Sequence, residues 1–275
     1  MQRIALLIFF IINVQGISLF AQECEWFSSK LNIQPFTANF LEPKAGFSYL
    51  LSKSELRLDI GTSSDVYHYS KDGTTLSFGA DLFTFTRLRG EKDFHFPVEA
   101  IDYLFGVNAG YKVLNQNDEY GFRFRLSHIS AHFVDGQYDH SIDDWRNGNT
   151  PRVYSREFIE IFPYYRVDGL RVYAGLTYLF HVTPENIGKG IYQLGFDYYL
   201  TSVSGKFFPF IAYDFKLAEI EKFYGNNIVS AGIKFGNYKE KGVSLLFSYY
   251  SGKSVHGEYY DLNEDYFTVG LNVDL

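Results

Sequence analysis

The sequence predicts an all-β protein, a closed antiparallel transmembrane β-barrel of roughly twelve strands. Segments of about ten residues recur along the chain in which apolar and polar residues alternate, as in strands with one apolar face. Residues that favour strands are abundant, with 28 Phe and 23 Tyr in 275 residues. The last segment, 266–275, keeps this alternation to its end, as the closing strand of a barrel must.

The chain is predicted to contain three regions. Residues 1–21 form a signal peptide, in which Arg3 precedes an apolar run and Ala21 is the small residue before the cleavage site. Residues 22–43 mix polar and aromatic side chains without alternation and are predicted to be a periplasmic N-terminal lead-in. Residues 44–275 are predicted to form the barrel.

The barrel strands follow from the alternation in chain order. They are predicted over residues 45–51, 56–61, 75–87, 101–113, 121–133, 153–167, 170–182, 191–201, 206–217, 228–236, 242–251 and 266–275. Asp168-Gly169 is a strong signal for a two-residue hairpin turn. Residues 62–74 and 218–227 are predicted to be long connections. In the strand over 170–182, His181 is predicted on the face opposite the apolar one.

The polar face of these strands carries glycines and charges of both signs. The charged members are Arg57, Asp59, Asp102, Lys112, Arg123, Arg125, Arg171, Asp197 and Lys234. In a membrane barrel they face a narrow lumen and pair with one another. A soluble sandwich or lipocalin-like barrel would instead turn the apolar face inward. The signal peptide and the terminal strand favour the membrane barrel.

The terminal strand resembles the C-terminal signal that bacterial outer-membrane proteins present to the barrel assembly machinery. Thr268, Gly270, Val273 and Leu275 carry the resemblance, with Leu where the terminal residue is usually Phe. It implies a location in the bacterial outer membrane, with membrane lipids and the assembly machinery as partners.

Composition excludes other classes. The formal net charge is −7 and there are no basic runs, so nucleic acid is not expected as a partner. The single cysteine, Cys24, excludes an internal disulfide and a cysteine-based metal site.

One strand contains residues suited to chemistry. If the strand over 121–133 has no bulge, His128, Ser130 and His132 share the lipid-facing side with Phe122 and Leu126. Polar side chains facing lipid are costly unless they lie near the interface or have a function. A bulge before His128 would turn these side chains into the lumen, where they would form part of a hydrogen-bonded plug.

The His128-Ile129-Ser130 pattern resembles the active-site strand of outer-membrane phospholipase A and of the lipid A deacylase barrels. The resemblance implies that Ser130 is the nucleophile and His128 its base, with a group on the next strand orienting His128. Glu157 is the candidate for that group, with Glu160 behind it. Those enzymes usually have Asn after the Ser, whereas this chain has Ala131. Calcium is the cofactor considered for such a hydrolase, and no cofactor is predicted otherwise.

Most of the region after the signal peptide also resembles an uncharacterised (domain-of-unknown-function) family of bacterial outer-membrane proteins. The resemblance rests on residues 126–135, on the run Tyr154-Ser155-Arg156-Glu157 and on the strand over 171–175. It brings no activity.

Three functions remain open on the sequence. The sequence favours a structural or ligand-binding barrel at the cell surface. The first alternative is a lipid acyl-ester hydrolase of the outer leaflet, and the second is a narrow solute channel. Metal sites are also conceivable, one from His128, His132, His140 and Asp135, and one for calcium in the acidic run 139–144.

Overall fold

The computed structural model describes residues 23–201, 203 and 205–274. The predicted signal peptide and Leu275 lie outside the described residues. The strands are β1 (Glu23–Trp26), β2 (Ala45–Leu50), β3 (Glu55–Lys71), β4 (Thr74–Arg89), β5 (Val98–Leu114), β6 (Asp118–Phe133), β7 (Tyr138–Asp139), β8 (Asp144–Trp145), β9 (Tyr154–Val167), β10 (Leu170–Thr183), β11 (Gly190–Tyr199), β12 (Phe207–Ile220), β13 (Lys222–Gly236), β14 (Gly242–Lys253) and β15 (Asn263–Val273).

The helical elements are short 3-10 turns. They cover Lys92–Phe94, Asp135–Gln137, Arg146–Gly148 and Gly257–Tyr259. Within the described ranges, no helix is long and apolar enough to cross a membrane.

Twelve of the strands form a closed antiparallel barrel, which confirms the predicted fold class. The barrel closes where β15 pairs with β2, in a register that runs from Val273 opposite Ala45 to Thr268 opposite Leu50. Closure leaves no open sheet edge in the lipid, which is the requirement from which the terminal strand was predicted. Strands β1, β7 and β8 do not contribute to this ring.

The two faces of the wall are those that the alternation predicts. Phe105, Phe124 and Leu245 are among many large apolar side chains that remain exposed on the outside. The predicted lumen charges are buried, except for the half-buried Lys112. Two pairs form within the predicted set, Arg57 with Asp59 at 2.8 Å and Arg171 with Asp197. The other members bond groups outside that set, for example Arg123 with Glu42. An apolar exterior around a paired polar lumen is the arrangement of an outer-membrane barrel.

Two predicted connections are wrong because strands continue through them. Residues 62–71 belong to β3, and the turn to β4 is only Asp72-Gly73, both at positive φ (51° and 77°). Residues 218–227 form the ends of β12 and β13 around Glu221, at φ 60°. The first error arose because residues 62–71 are largely polar on both faces, so alternation of hydrophobicity does not mark them as a strand.

The connections sort to two ends of the barrel. The turns after β3, β5 and β9 lie at the same end as the start of β2 and the end of β15, called here the turn end. The connections after β4, β6 and β14 lie at the opposite end, called here the loop end, and are longer. Short periplasmic turns and longer outer loops are typical of these barrels, so the loop end corresponds to the cell surface.

The segment predicted as a periplasmic lead-in lies partly inside the lumen. Strand β1 pairs with the turn-end half of β3, and residues 31–43 then enter the barrel. Phe36 and Asn39 are almost completely buried there. Arg123 donates two hydrogen bonds to Glu42, at 2.6 and 2.7 Å. We call residues 31–43 the lumen segment.

The loop end is covered by the connection from β14 to β15. His256 and the backbone amide of Gly257 bond the two carboxylate oxygens of Asp102, at 2.8 and 2.7 Å. The Tyr259 hydroxyl donates to Gln137 at 3.1 Å. The lumen is therefore occupied from both ends, by the lumen segment and by residues 254–262, which we call the cap loop.

Candidate active site on the outer face of the barrel

Strand β6 places His128 and Ser130 on the outside of the barrel. Its pairings with β5 and β9 run without a register shift, so no bulge turns these side chains into the lumen. The intervening Ile129 is buried inside, whereas His128 and Ser130 are half-buried and His132 is exposed. Strand geometry thus puts the two candidate catalytic side chains on the same face, two residues apart.

Glu157 lies opposite His128 on the neighbouring strand β9. The His128 Nδ1 atom is 2.7 Å from Glu157 Oε1, and Ser155 Oγ donates to the same oxygen at 3.0 Å. A carboxylate at Nδ1 favours the tautomer with its proton there, which leaves Nε2 free to accept a proton. Of the two candidate orienting carboxylates, Glu157 is the one that contacts His128.

Glu160, the second candidate, is on the other face of β9. Its carboxylate is buried in the lumen and pairs with Arg125. Residues three apart on a regular strand point in opposite directions, so Glu160 cannot reach a ring outside the wall.

His181 belongs to this cluster, although it was predicted to face the lumen. The register between β9 and β10 shifts between Leu179 and His181, and this bulge leaves Phe180 unpaired. His181 then lies opposite Glu157 and bonds its second oxygen, Oε2. A bulge reverses the direction in which every later side chain of the strand points. The alternation of residue types in β10 does not change at this position, so the sequence contains no signal that predicts the bulge.

The Ser130 hydroxyl is not hydrogen-bonded to His128. Among the described residues, no side chain or backbone group forms a hydrogen bond with its hydroxyl, whereas Ser155, directly opposite on β9, is engaged with Glu157. The following residue, Ala131, is buried on the lumen side. The departure from the usual Asn therefore falls on the face that the cluster does not use.

The cluster lies on the lipid-facing surface, towards the loop end. The rings of Phe105 and His128 have their centroids 4.9 Å apart, and Tyr103 flanks His132 at 6.1 Å. Ser130 is three positions before the end of β6 at Phe133. Aromatic side chains near a strand end mark the membrane interface, where lipid ester groups lie.

The alternative metal sites do not form. Within the part of the chain that the structure describes, no three His, Cys, Asp or Glu side chains are grouped to hold a metal ion. In the acidic run, Asp139 accepts bonds from Ser141 and pairs with Arg146, and Asp143 accepts the Tyr138 hydroxyl. The hydrogen bonds that Asp139 accepts from Ser141 hold the pKa of the Asp139 carboxyl below its usual value.

Comparison with protein families gives a match over more than half of the chain. The profile described as "Protein of unknown function (DUF1207)" matches residues 101–274. The chain belongs to this family. The match includes β6, β9 and β10, and therefore the whole cluster around Glu157. The family description assigns no activity. No curated protein matches the chain.

The solved structures that match the chain include three bacterial membrane proteins. Outer membrane phospholipase A from Escherichia coli is 14% identical, with 89% of this chain and 94% of that chain covered and a TM-score of 0.52. The β domain of the Bordetella autotransporter BrkA is 11% identical, covering 84% and 97%, with a TM-score of 0.41. OmpT of Vibrio cholerae is 10% identical, with 86% of this chain and 99% of that chain covered and a TM-score of 0.35. The phospholipase likeness shows the fold alone.

Proposed function

We propose that the protein is a lipid acyl-ester hydrolase of the outer leaflet. The observation that carries the proposal is the 2.7 Å contact between His128 Nδ1 and Glu157 Oε1, outside the barrel and beside the unengaged Ser130. A nucleophile, a base and an orienting acceptor are the three parts that serine hydrolases share. The resemblance of His128-Ile129-Ser130 to phospholipase and deacylase strands supports the same assignment.

The chemistry follows from these three groups. Ser130 Oγ attacks the ester carbonyl carbon as its proton passes to His128 Nε2, while Glu157 stabilises the imidazolium that forms. The ester C–O bond then breaks, and the leaving alcohol takes the proton from His128. Water attacks the acyl-serine and gives a proton to His128, which returns it to Ser130 as the fatty acid leaves.

The position of the cluster supports a lipid substrate. The side chains of Phe105 and Tyr103 lie beside it and are exposed to the membrane. An acyl chain bound there remains in an apolar environment while its ester reaches Ser130 at the interface. A water-soluble ester would gain little from this surface.

The residues around Ser130 do not fit a calcium site. The carboxylate there is Glu157, and its oxygens are engaged by His128, Ser155 and His181. The catalytic steps given above therefore do not use calcium. Assays with added calcium and with chelator test this point directly.

The other two functions rest on weaker support. A structural or ligand-binding barrel without turnover does not account for a His–Glu pair on a lipid-facing surface. A narrow solute channel conflicts with a lumen that contains both the lumen segment and the cap loop. Recognition by the assembly machinery through Thr268, Gly270 and Val273 stays a prediction, and Leu275 is outside the described residues.

The deciding experiment compares two serine variants. The full chain, refolded in detergent, is assayed for fatty-acid release from a phospholipid, with calcium and with chelator. Ser130→Ala is expected to reduce the rate by at least about a thousandfold, because the acyl-enzyme cannot form. Ser155→Ala is the matched control and is expected to stay within about tenfold, since Ser155 only supports Glu157.

Two outcomes contradict the proposal. Absence of release by the correctly folded wild-type chain under both conditions would leave a barrel without this activity. Release that persists in Ser130→Ala would assign the reaction to another group or to a contaminant. Folding is checked in each variant by heat-dependent mobility on gels.

A further inference from the structure

A cavity of about 80 Å³ lies in the lumen between the lumen segment and the cap loop. Much of its wall is apolar and is formed by inward side chains that include Ile129, Phe158, Leu179, Ile220 and Ile228. Elsewhere the lumen contains both ion pairs and further apolar clusters, such as Phe36 with Phe162. Apolar walls inside a polar barrel indicate a place for an apolar group.

One of the charged side chains that line the cavity, Arg156, is not paired. Arg125 and Glu160 form an ion pair, but Arg156 and Lys216 also line the cavity and neither has a carboxylate within salt-bridge distance. Lys216 donates instead to the amide oxygen of Asn39, at 2.7 Å. Asp214, which lies outside the lining, also acts on the charge of Lys216, so Arg156 is the cation of the lining with the least compensation.

Arg156 is the unusual member. Every other arginine in the described part of the chain forms a salt bridge with Asp or Glu (Arg57, Arg87, Arg89, Arg123, Arg125, Arg146, Arg152, Arg166 and Arg171). The Arg156 guanidinium instead stacks 5.2 Å from the ring centroid of Tyr154, and its buried Nε has no hydrogen-bond partner. A buried donor without an acceptor costs free energy, which a bound anion would remove.

We infer that this cavity binds an anionic amphiphile, a fatty acid whose carboxylate pairs with Arg156 and whose chain lies against the apolar wall. Charge complementarity selects the head group, and the isoleucine-rich wall selects the chain. The dimensions favour a short chain or the first part of a longer one. The site does not depend on the proposed hydrolase, because the barrel wall separates it from Ser130.

The loop end of β10 offers a route of entry. The last register pair of β10 with β11 is Tyr178 opposite Gly190, and the Leu179 amide still donates to the Lys189 carbonyl at 2.8 Å, so residues 180–183 continue beyond the ladder. The neighbouring wall is formed there by residues 184–189, held by the bridge between Ile187 and Ile220. Leu179 and Ile187 also line the cavity. A chain from the outer leaflet can reach the lumen where the ladder between β10 and β11 ends.

Photolabelling tests the site directly. The full chain with Ser130→Ala, which removes the proposed hydrolysis, is reconstituted in phosphatidylcholine vesicles with an octanoic acid that carries a diazirine on its chain. Mass spectrometry then locates the labelled residues. We expect labels on the inward Ile129, Phe158 or Ile228, and about tenfold less lumen labelling when Arg156→Gln is added, because a charged hydrogen bond is lost.

Three controls make the result decisive. Lys222→Gln removes an exposed cation outside the cavity and should leave labelling unchanged. Arg156→Lys retains the charge and should restore part of the labelling if Arg156→Gln acts through charge rather than folding. A probe with the same acyl chain and diazirine, but with a quaternary ammonium head group in place of the carboxylate, should not label the lumen. Labels only on outward residues, or equal lumen labelling in Arg156→Gln, would overturn the proposal.

Discussion

At the scale of single residues, the outer cluster is organised around one carboxylate. Glu157 contacts His128, His181 and Ser155, which lie on its own strand and on both neighbouring strands. Only His128 has Ser130 two positions away on the same strand face. The two histidines therefore have different expected roles, His128 as base and His181 as a positioning residue that supports Glu157 from the other side.

Glu157→Gln tests this division of roles. The amide can bond Nδ1 but cannot stabilise the imidazolium, so we expect kcat for lipid ester hydrolysis to fall by about 10³-fold or more, with KM little changed. His181→Gln should lower kcat by less than about tenfold. Steady-state kinetics on one phospholipid would measure both. Equal losses in the two variants, or an active Glu157→Gln, would contradict the assignment of Glu157.

The contact between His128 and Glu157 could be predicted from the sequence, whereas the contribution of His181 could not. The pairing needs only that β6 and β9 are neighbours and that both keep a regular alternation through this level of the barrel. The bulge at Phe180 is a local insertion that depends on how β10 meets β9, and residue types alone do not specify it.

At the scale of elements, the lumen segment is held by contacts that are distant in sequence. Arg123 binds Glu42, and the backbone amide of Thr37 donates to Asp197 at 3.0 Å. Arg171 donates to the carbonyl oxygens of Gln34 and Pro35 at 2.8 and 2.6 Å. Since residues 22–43 have no period of their own, the sequence indicated that they are not a wall strand but not where they lie.

Glu42 makes the attachment of this segment pH-dependent. Burial alone would raise the pKa of its carboxyl, but Arg123 and Arg125 outweigh burial and lower it from 4.5 to about 2. Because the folded pKa is depressed, the stabilisation is complete above about pH 4.5 and is lost as the pH falls towards 2. Its size is on the order of 3 kcal/mol.

Amide hydrogen exchange can follow this loss. Corrected for intrinsic rates, the protection of the Asn39 and Glu42 amides, which donate to Phe36 and Asn39, should be constant from pH 7 to 4.5 and then fall. In Glu42→Gln, protection should be lower at pH 7 and should not show this fall. The β14–β15 ladder supplies the control. Loss of protection in the ladder at the same pH would indicate general unfolding instead.

At the scale of the whole molecule, the fold is the part that the sequence predicts best. Alternation is a local consequence of a wall with lipid on one side, so it repeats in every strand and reveals the barrel even when one strand, such as β3, is misjudged. The segments that lie inside the lumen have no such repeating pattern in their sequence. The lumen segment and the cap loop are placed by individual partners such as Glu42 with Arg123 and His256 with Asp102.

The lumen segment and the cap loop each block the lumen, one behind the other along the barrel axis, and together they determine whether the barrel conducts ions. The lumen segment occupies the turn-end part of the barrel, and the cap loop covers the loop end through Asp102. Removal of one seal leaves the other. In planar bilayers at neutral pH we therefore expect no single-channel current from the full chain, from a variant lacking residues 27–43, or from one with residues 255–260 replaced by a Gly-Ser turn.

The variant with both changes should conduct, because only then is the lumen open from one end of the barrel to the other. Heat-dependent gel mobility shows whether each variant still folds, so that the absence of current from an unfolded variant is not mistaken for a closed barrel. Discrete current steps from the full chain would mean that the lumen segment and cap loop do not close the pore, and would restore the solute channel as a function. Current from one single variant alone would identify the other element as an incomplete seal.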